Sequence, residues 1–143
     1  MAKTVADKMG IKKGVRAYLK DAPPDALKSL ALSDVDVVKR LTGEFDYIHV
    51  FVTRQSGQEL IFQKLKDHLK LDGMLWVSWP KGGQLDTDLT LPKVIKTGYG
   101  FGLVESTCLS INPTWSALKF THPKKGKKYN NSHARLKSRT TNR

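Results

Sequence analysis

The sequence contains a single cysteine, Cys108, among its 143 residues. One cysteine allows no internal disulfide, which is typical of proteins that fold in a reducing compartment. Long hydrophobic runs are also missing, and none approaches the roughly 18 apolar residues that a membrane span requires. The N-terminal stretch MAKTVADKMGIKKG has no apolar centre of the kind that secretory signals contain. These absences predict a cytoplasmic protein with no membrane segment.

Acidic residues are scarce and unevenly placed. The chain has 13 Asp and Glu against 25 Lys and Arg, and its net charge is +12. Residues 123–143 contain eight of the basic residues and no acidic one, so the preceding residues carry only the smaller part of the excess. The charge pattern therefore separates a mildly basic body from a strongly basic C-terminal segment.

This basic segment is predicted to be flexible, because Gly, Asn, Ser and Thr separate its charges and leave too little apolar surface to fold alone. Lysine and arginine runs of this kind attract the phosphates of nucleic acids through counterion release. The residues predicted to bind nucleic acid or a ribonucleoprotein are Lys124, Lys125, Lys127, Lys128, Arg135, Lys137 and Arg139. The alternative is a solubilising tail that has no dedicated partner.

The length and the 39% apolar content predict one globular domain with a single hydrophobic core. We expect a lead-in at residues 1–14, an α/β domain at residues 15–122 and the basic segment at residues 123–143. Residues 15–19 and 35–38 have strand composition, and Pro24 suits the first turn of a helix between them. Residues 45–52 are almost continuously apolar, which indicates a strand that is buried on both faces, as in a parallel sheet.

The second half of the chain continues this alternation. Ser56 and Glu59 fit a capping box, which predicts the start of an amphipathic helix. Gly73 is predicted to close that helix, before a buried strand at residues 74–79 that Pro80 ends. A helix at residues 90–99 and an antiparallel strand pair at residues 103–111 and 117–121 follow. This order predicts a Rossmann-like α/β fold, with a mostly parallel sheet flanked by helices and a C-terminal antiparallel strand pair.

The chain resembles the Rossmann-like methyltransferase fold in residues 45–73 and in its closing strand pair. In that fold a glycine-rich turn follows the first strand, and an acidic residue ends the second strand to hold the ribose of a methionine-derived cofactor. Here Asp21-Ala22-Pro23-Pro24 and Lys39-Arg40 stand at those two places. The resemblance therefore implies a truncated methyltransferase-like fold, and the cofactor remains unknown.

A second resemblance spans about residues 7–121. The motifs Leu75-Trp76-Val77-Ser78-Trp79-Pro80-Lys81 and Thr114-Trp115-Ser116-Ala117-Leu118 resemble a family of small bacterial proteins defined by a domain of unknown function. The Trp-Pro-Lys and Trp-Ser elements are its specific parts. This resemblance implies a bacterial, cytoplasmic, Rossmann-like domain, and it implies no activity.

Several chain breaks are predicted to meet at the carboxyl edge of the sheet, where open α/β sheets bind ligands. The charged residues at these breaks, with Trp79 as a stacking wall, could bind a small anionic or zwitterionic ligand. The complete predicted set is Asp21, Arg54, Trp79, Lys81 and Asp88. The alternative is structural: the carboxylates cap helices, the cations are solvated and Trp79 covers the end of the sheet.

No catalytic or metal-binding residue is predicted, because the sequence shows neither a nucleophile–base pair nor metal-ligand spacing. His49 is predicted to be a hydrogen-bonded core or edge histidine, and Cys108 a small buried residue. The glycines at positions 98, 100 and 102 look like a nucleotide motif, but they follow a helix, so they are predicted to end it.

Besides a structural or regulatory partner of another protein, with exposed aromatic surface as its contact, two hypotheses for function remain at this point. The first is a non-catalytic domain that binds nucleic acid or a ribonucleoprotein through the basic segment. The alternative is a small-molecule sensor, or a methyltransferase-related enzyme with an altered cofactor site at the carboxyl edge.

Overall fold

A computed structural model describes residues 3–127 and residue 129. In chain order its elements are α1 (Val5–Met9), β1 (Arg16–Lys20), α2 (Pro24–Leu30), β2 (Asp36–Val37), β3 (Phe45–Phe51), α3 (Gln55–Asp67), β4 (Leu69–Pro80), a 3₁₀ segment (Lys81–Asp86), α4 (Leu91–Gly100), β5 (Val104–Ser110) and β6 (Trp115–Thr121). The described residues form one six-stranded sheet in the order β2-β1-β3-β4-β6-β5. The first four strands are parallel, and β6 is antiparallel to both β4 and β5. The predicted fold class is confirmed.

Helices cover the two faces of the sheet with separate hydrophobic clusters. On one face, Met9 of α1 and Leu30 of α2 pack with Tyr47, Trp76 and Trp115 of the sheet. On the other face, the buried side chains of α3 and α4 pack against the apolar residues of β3, β4 and β6. Strands β3 and β4 contribute to both clusters, which explains the nearly continuous apolar runs in their sequences.

The connection from β2 to β3 differs from the other parallel connections in the sheet. Helix α2 joins β1 to β2, and α3 joins β3 to β4, whereas residues 38–44 cross from β2 to β3 without a helix. Arg16 holds this short crossover, because its Nη1 donates to the carbonyls of Thr42 at 2.7 Å and Glu44 at 2.8 Å. Its guanidinium also lies 4.1 Å from the centre of the Phe45 ring. The α3 face of β1 therefore has no crossover helix over it.

The start of β4 corrects the prediction made for Gly73. Helix α3 ends at Asp67 and β4 begins at Leu69, because Leu69 already pairs with Phe45 of β3. Pairing then skips to Tyr47 and Met74, so the residues between form a bulge. A Cβ atom on Gly73 would lie 2.9 Å from the Phe45 carbonyl oxygen, so this glycine permits a close approach of two backbones. It does not close a helix.

Two smaller predictions also need correction. The capping box is wrong, since α3 begins at Gln55 and its N-cap, Arg54, makes no side-chain cap bond; Ser56 already lies within the first turn. The second strand is shorter than predicted, and both residues of β2 are exposed because this strand forms an edge of the sheet. Helix α4 ends at Gly100, close to the predicted position, but Gly98 and Gly100 lie inside the helix instead of following it. Beyond the end, Gly102 has φ 84°, and the backbone N–H of Leu103 donates to the Gly98 carbonyl.

Candidate ligand cleft and basic segment

The carboxyl ends of β1 and β3 border a cleft of about 460 Å³. Lys20 and Asp21 line it from the end of β1, and Arg54 lines it from the loop after β3. The first two turns of α3 form its other side, where Leu60 is 87% exposed. The cleft volume lies within the range of small-molecule sites.

Asp21 and Arg54 are the two predicted site residues that the structure brings together in this cleft. Asp21 has φ 58°, and its Oδ2 lies 3.6 Å from the Nζ of the neighbouring Lys20. Nη1 of Arg54 donates to the carbonyl oxygen of Asp86 at 3.0 Å. This bond ties Arg54 to the end of the 3₁₀ segment, whose residues do not line the cleft.

Asp88 has a structural role. Its Oδ1 accepts the backbone N–H of Gln55 at 2.8 Å, so the carboxylate supplies from a distant loop the cap that Ser56 was predicted to give α3. Thr87 reinforces the same junction by donating its hydroxyl to the Thr53 carbonyl at 2.6 Å. Asp88 does not line the cleft.

Trp79 and Lys81 do not line the cleft either. Trp79 is only 5% exposed and belongs to the core cluster beneath α3 and α4. The Nζ of Lys81 donates to the hydroxyl of Ser110 on β5, which lies on the far side of β4 from β1. The five predicted residues therefore divide into a pair in the cleft and three residues that serve other contacts.

A buried polar chain links Tyr47, His49 and Ser78, and sequence reasoning missed its Ser78 end. The Tyr47 hydroxyl lies 2.6 Å from Nδ1 of His49, and Nε2 of His49 lies 2.6 Å from the Ser78 hydroxyl. The side chains of Tyr47 and His49 share a face of β3 because they are two positions apart. Ser78 is a polar residue within an apolar strand sequence, and this position could have indicated a buried hydrogen-bond partner for His49.

Complete burial sets the chemistry of this chain. All three residues are 0% exposed, and desolvation lowers the pKa of His49 to about 3 and raises the pKa of Tyr47. A serine beside a histidine is the arrangement of a nucleophile and its base. Because neither residue is exposed, we interpret the chain as structural. The predicted core position of His49 is confirmed.

The prediction for Cys108 is wrong. Its side chain is exposed, because β5 is an edge strand of the sheet. Partial desolvation raises the pKa of the Cys108 thiol, and the positive charge of Lys81 opposes that effect. The thiol is therefore not activated by its surroundings.

The basic segment starts at the opposite edge of the sheet from the cleft. Strand β6 is antiparallel to β4 and ends near its start, where His122 Nε2 lies 3.0 Å from the Leu69 carbonyl oxygen. Lys124, Lys125 and Lys127 are exposed. The other predicted nucleic-acid-binding residues lie outside the described residues: Lys128, Arg135, Lys137 and Arg139.

Tyr129 anchors the first part of this segment to the body. Its ring packs against the α3 and α4 core cluster, and its hydroxyl accepts the backbone N–H of Lys124 at 2.8 Å. The Nζ of Lys127 lies 5.3 Å from the centre of the same ring. These contacts fix the start of the segment beside the sheet edge.

Two kinds of site are not found among the described residues. No group of three or more His, Cys, Asp or Glu side chains there could hold a metal ion. In the same part of the chain, no helix is long and apolar enough to cross a membrane.

Comparisons with known proteins identify the architecture. No family model matches the chain, and no curated protein matches it significantly. A TehB-like SAM-dependent methyltransferase from Corynebacterium glutamicum superposes with a TM-score of 0.54 at 12% identity, over 82% of this chain and 85% of that chain. The fold is the Rossmann-like methyltransferase fold.

Two further structures with this methyltransferase fold come from other bacteria. The ribosomal protein L11 methylase from Lactobacillus delbrueckii has a TM-score of 0.53 at 12% identity, over 82% of this chain and 74% of that chain. A precorrin-6y C5,15-methyltransferase from Geobacter metallireducens has a TM-score of 0.52 at 14% identity, over 82% and 84% of the two chains. At these identities the likeness establishes the fold alone.

The residues at the usual cofactor positions of the methyltransferase fold do not fit S-adenosylmethionine. After β1, Pro23 is the N-cap of α2 with φ −71°, and Pro24 occupies the first turn, so two successive residues lack an N–H donor. After β2, the exposed Lys39 and Arg40 stand where a carboxylate would hold the ribose. This chain has the fold without the donor set.

Proposed function

We propose that this protein is a non-catalytic, methyltransferase-like domain that binds nucleic acid or ribonucleoprotein without sequence specificity. The proposal rests on the segregation of charge. Residues 123–143 carry eight Lys and Arg without an acidic residue, while all 13 acidic residues lie in the preceding part of the chain. A segment of this composition supplies the electrostatic term that dominates non-specific nucleic-acid binding.

Geometry supports this proposal where the segment is described. Lys124, Lys125 and Lys127 are exposed, and no described carboxylate lies within ion-pair distance of them. The Asp46 carboxylate, near the start of β3, is already occupied: the Arg16 backbone N–H and the Lys70 ammonium, at 2.8 and 3.0 Å, lower its pKa. Because no described carboxylate pairs with these three lysines, their ammonium groups can contact phosphates.

The anchoring of Tyr129 gives the segment a fixed origin. Its packing and its bond to Lys124 orient the first lysines along one edge of the sheet. The Tyr129 ring already contacts the core cluster and Lys127, so the proposal does not use it to stack on a nucleic-acid base. Binding then depends on the positive charges of the segment, and for this reason the proposal includes no sequence preference.

A charge-matched pair of variants of the full chain tests the proposal. The test variant replaces the seven predicted residues by Gln: Lys124, Lys125, Lys127, Lys128, Arg135, Lys137 and Arg139. The control variant replaces seven exposed lysines of the body by Gln: Lys3, Lys8, Lys13, Lys28, Lys39, Lys64 and Lys96. Both variants lose the same net charge, so only the position of the charge differs.

Fluorescence anisotropy with a labelled single-stranded RNA and a labelled DNA duplex is measured between 50 and 200 mM salt. With about five phosphates contacted, the affinity of the wild-type chain for single strands should fall roughly hundredfold over this range. The test variant should lose most of the binding and of the salt slope, whereas the control should keep both. Salt-insensitive binding, or equal losses in the two variants, would contradict the proposal.

The methyltransferase-related enzyme is the second candidate, and the fold is the observation that favours it. Its direct test is calorimetric titration of the full chain with S-adenosylmethionine. We expect no saturable heat, because Pro23, Pro24, Lys39 and Arg40 replace the expected donors. Micromolar binding would favour the enzyme over the non-catalytic domain.

A further inference from the structure

The cleft beside Arg54 exists because the β2–β3 crossover has no helix. Residues 38–44 pass over the lower part of β1, where Arg16 holds them. Above them, the end of β1 and the side of α3 stay apart, and the space between them opens to solvent. The fold thus leaves a recess on a face of the sheet that a crossover helix would otherwise cover.

The charges at the mouth of the recess favour an anion. Asp21 is adjacent to Lys20, at 3.6 Å, so these two side chains largely offset each other. Arg54 forms no ion pair with a described carboxylate, and only its Nη1 is engaged with a described residue, the Asp86 carbonyl. The remaining N–H donors of its planar guanidinium can bind the two oxygens of a carboxylate.

The wall of the recess is apolar. Val50 lines it from β3, Val52 lines it from just after that strand, and Leu60 and Ile61 line it from α3. Leu60 is 87% exposed in the middle of a helix, which leaves apolar area for a ligand to cover. A cation beside such a wall selects a ligand with an anionic end and an apolar body.

We propose that this recess binds a small organic monocarboxylate, with its carboxylate on Arg54 and its alkyl or aryl body against Val52, Leu60 and Ile61. This site differs in chemistry from that of a nucleoside-containing cofactor, because it offers one guanidinium and an apolar wall. It also lies at the opposite sheet edge from the basic segment. Ligand binding is therefore independent of the proposed nucleic-acid binding.

Titration of the ¹⁵N-labelled full chain with butyrate, pentanoate and hexanoate tests the site by chemical-shift changes. Hexanol and hexylammonium serve as ligands of equal length without the negative charge. We expect saturable shifts at residues 52–61, with affinity rising about fourfold for each methylene added. Hexanol should bind at least tenfold more weakly than hexanoate, because it forms no charge-assisted bond.

Variants separate the site from a general attraction of anions to a basic protein. Arg54→Gln should weaken hexanoate binding at least tenfold without altering shifts in the core, and Arg54→Lys should lie between it and the wild type. Lys81→Gln is the matched control at the same sheet edge, because Lys81 is bound to Ser110; it should bind hexanoate as the wild type does.

Three results of the titrations with these small ligands would overturn the site. They are equal affinities for hexanoate and hexanol, an equal loss in the Arg54→Gln and Lys81→Gln variants, and the absence of saturation up to about 10 mM, far above useful affinities for such a cleft. Saturable binding of S-adenosylmethionine that shifts the same residues and depends on Arg54 would also overturn it, by assigning the recess to the cofactor.

Discussion

On the α3/α4 face of the sheet, the buried side chains interact mainly by close packing, whereas the α1/α2 face also contains a buried chain of hydrogen bonds. The first face packs Phe120 edge-on against Phe62, with ring centres 5.4 Å apart. The second stacks His49 on Phe51, at 4.4 Å, and satisfies both nitrogens of His49 with hydroxyls. The stability of the sheet therefore depends on close packing on one face and on paired buried hydrogen-bonding groups on the other. Different substitutions should test the two faces.

Breaking the polar chain should have the largest effect. His49→Phe leaves the buried hydroxyls of Tyr47 and Ser78 without their partner, at about 1–3 kcal/mol each, so we expect a loss of about 4 kcal/mol. The triple variant Tyr47→Phe, His49→Phe, Ser78→Ala should recover most of this loss, because no orphaned group remains. Urea unfolding measures both. If the triple variant is no more stable than the single variant, unpaired hydroxyls do not explain the loss, and the hydrogen bonds among Tyr47, His49 and Ser78 are not what stabilises this face.

Overfilling the shape-dependent face should cost somewhat less. A Cβ on Gly98 would lie 2.0 Å from Cε1 of Phe120, whose ring is fully buried against Phe62 and cannot withdraw. We expect Gly98→Ala to lower the free energy of unfolding by about 3 kcal/mol.

Gly100 provides the matched control on the same helix. A Cβ there meets nothing within 4 Å, so Gly100→Ala should be neutral or should stabilise by about 0.5 kcal/mol. Equal thermal shifts in the Gly98 and Gly100 variants would show that the face tolerates repacking.

Acid should weaken the polar face specifically. Burial lowers the pKa of His49 from 6.5 to about 3, so below pH 6.5 the unfolded chain takes up a proton that the folded chain excludes. The contribution of His49 is complete above pH 6.5 and falls by about 1.4 kcal/mol per pH unit as the pH drops toward 3. Unfolding free energies at pH 6 and pH 5 check the slope. The triple variant should lack this contribution. The difference between its pH dependence and that of the wild type therefore isolates the effect of His49 from that of the carboxylates.

Gln58 should give the smallest effect; it is a buried polar residue on the α3/α4 face. Its Nε2 donates to the Val94 carbonyl at 3.2 Å, while its buried Oε1 has no hydrogen-bond partner among the described residues. Gln58→Met removes that unpaired oxygen and keeps the volume, so we expect a gain of up to about 1 kcal/mol. A loss of more than 2 kcal/mol, measured by urea unfolding, would mean that the amide contributes more than its single observed bond.

Much of the fold was predictable from local patterns. The apolar run at residues 45–52 indicated a doubly buried strand, and Pro80 marked the end of the next strand. The bulge at Gly73 and the cap on α3 were not predictable in this way, because Phe45 and Asp88 create them from distant parts of the chain. Local rules assigned these two features to the nearest residues with suitable chemistry.

The candidate site was predictable only in part, for the same reason. Strand order implied that Asp21 and Arg54 lie near one sheet edge, and they line one cleft. The sequence could not show that Lys81 contacts Ser110 or that Trp79 faces the core, because side-chain direction depends on the neighbouring strands. The cleft itself results from a crossover that has no helix. The effect of that missing helix can be seen only in the assembled sheet, where it leaves part of one face uncovered.

The sequence by itself determined the class of fold and the separation of charge, since both follow from composition and from periodicity along the chain. Only the tertiary structure decided which polar groups remain available for ligands. It placed Asp88 on a helix end, enclosed His49 between two hydroxyls and left Arg54 beside an open apolar wall. The physical reason is that hydrogen-bond partners and burial are set by contacts between distant segments. Charge and strand propensity are properties of the residues themselves.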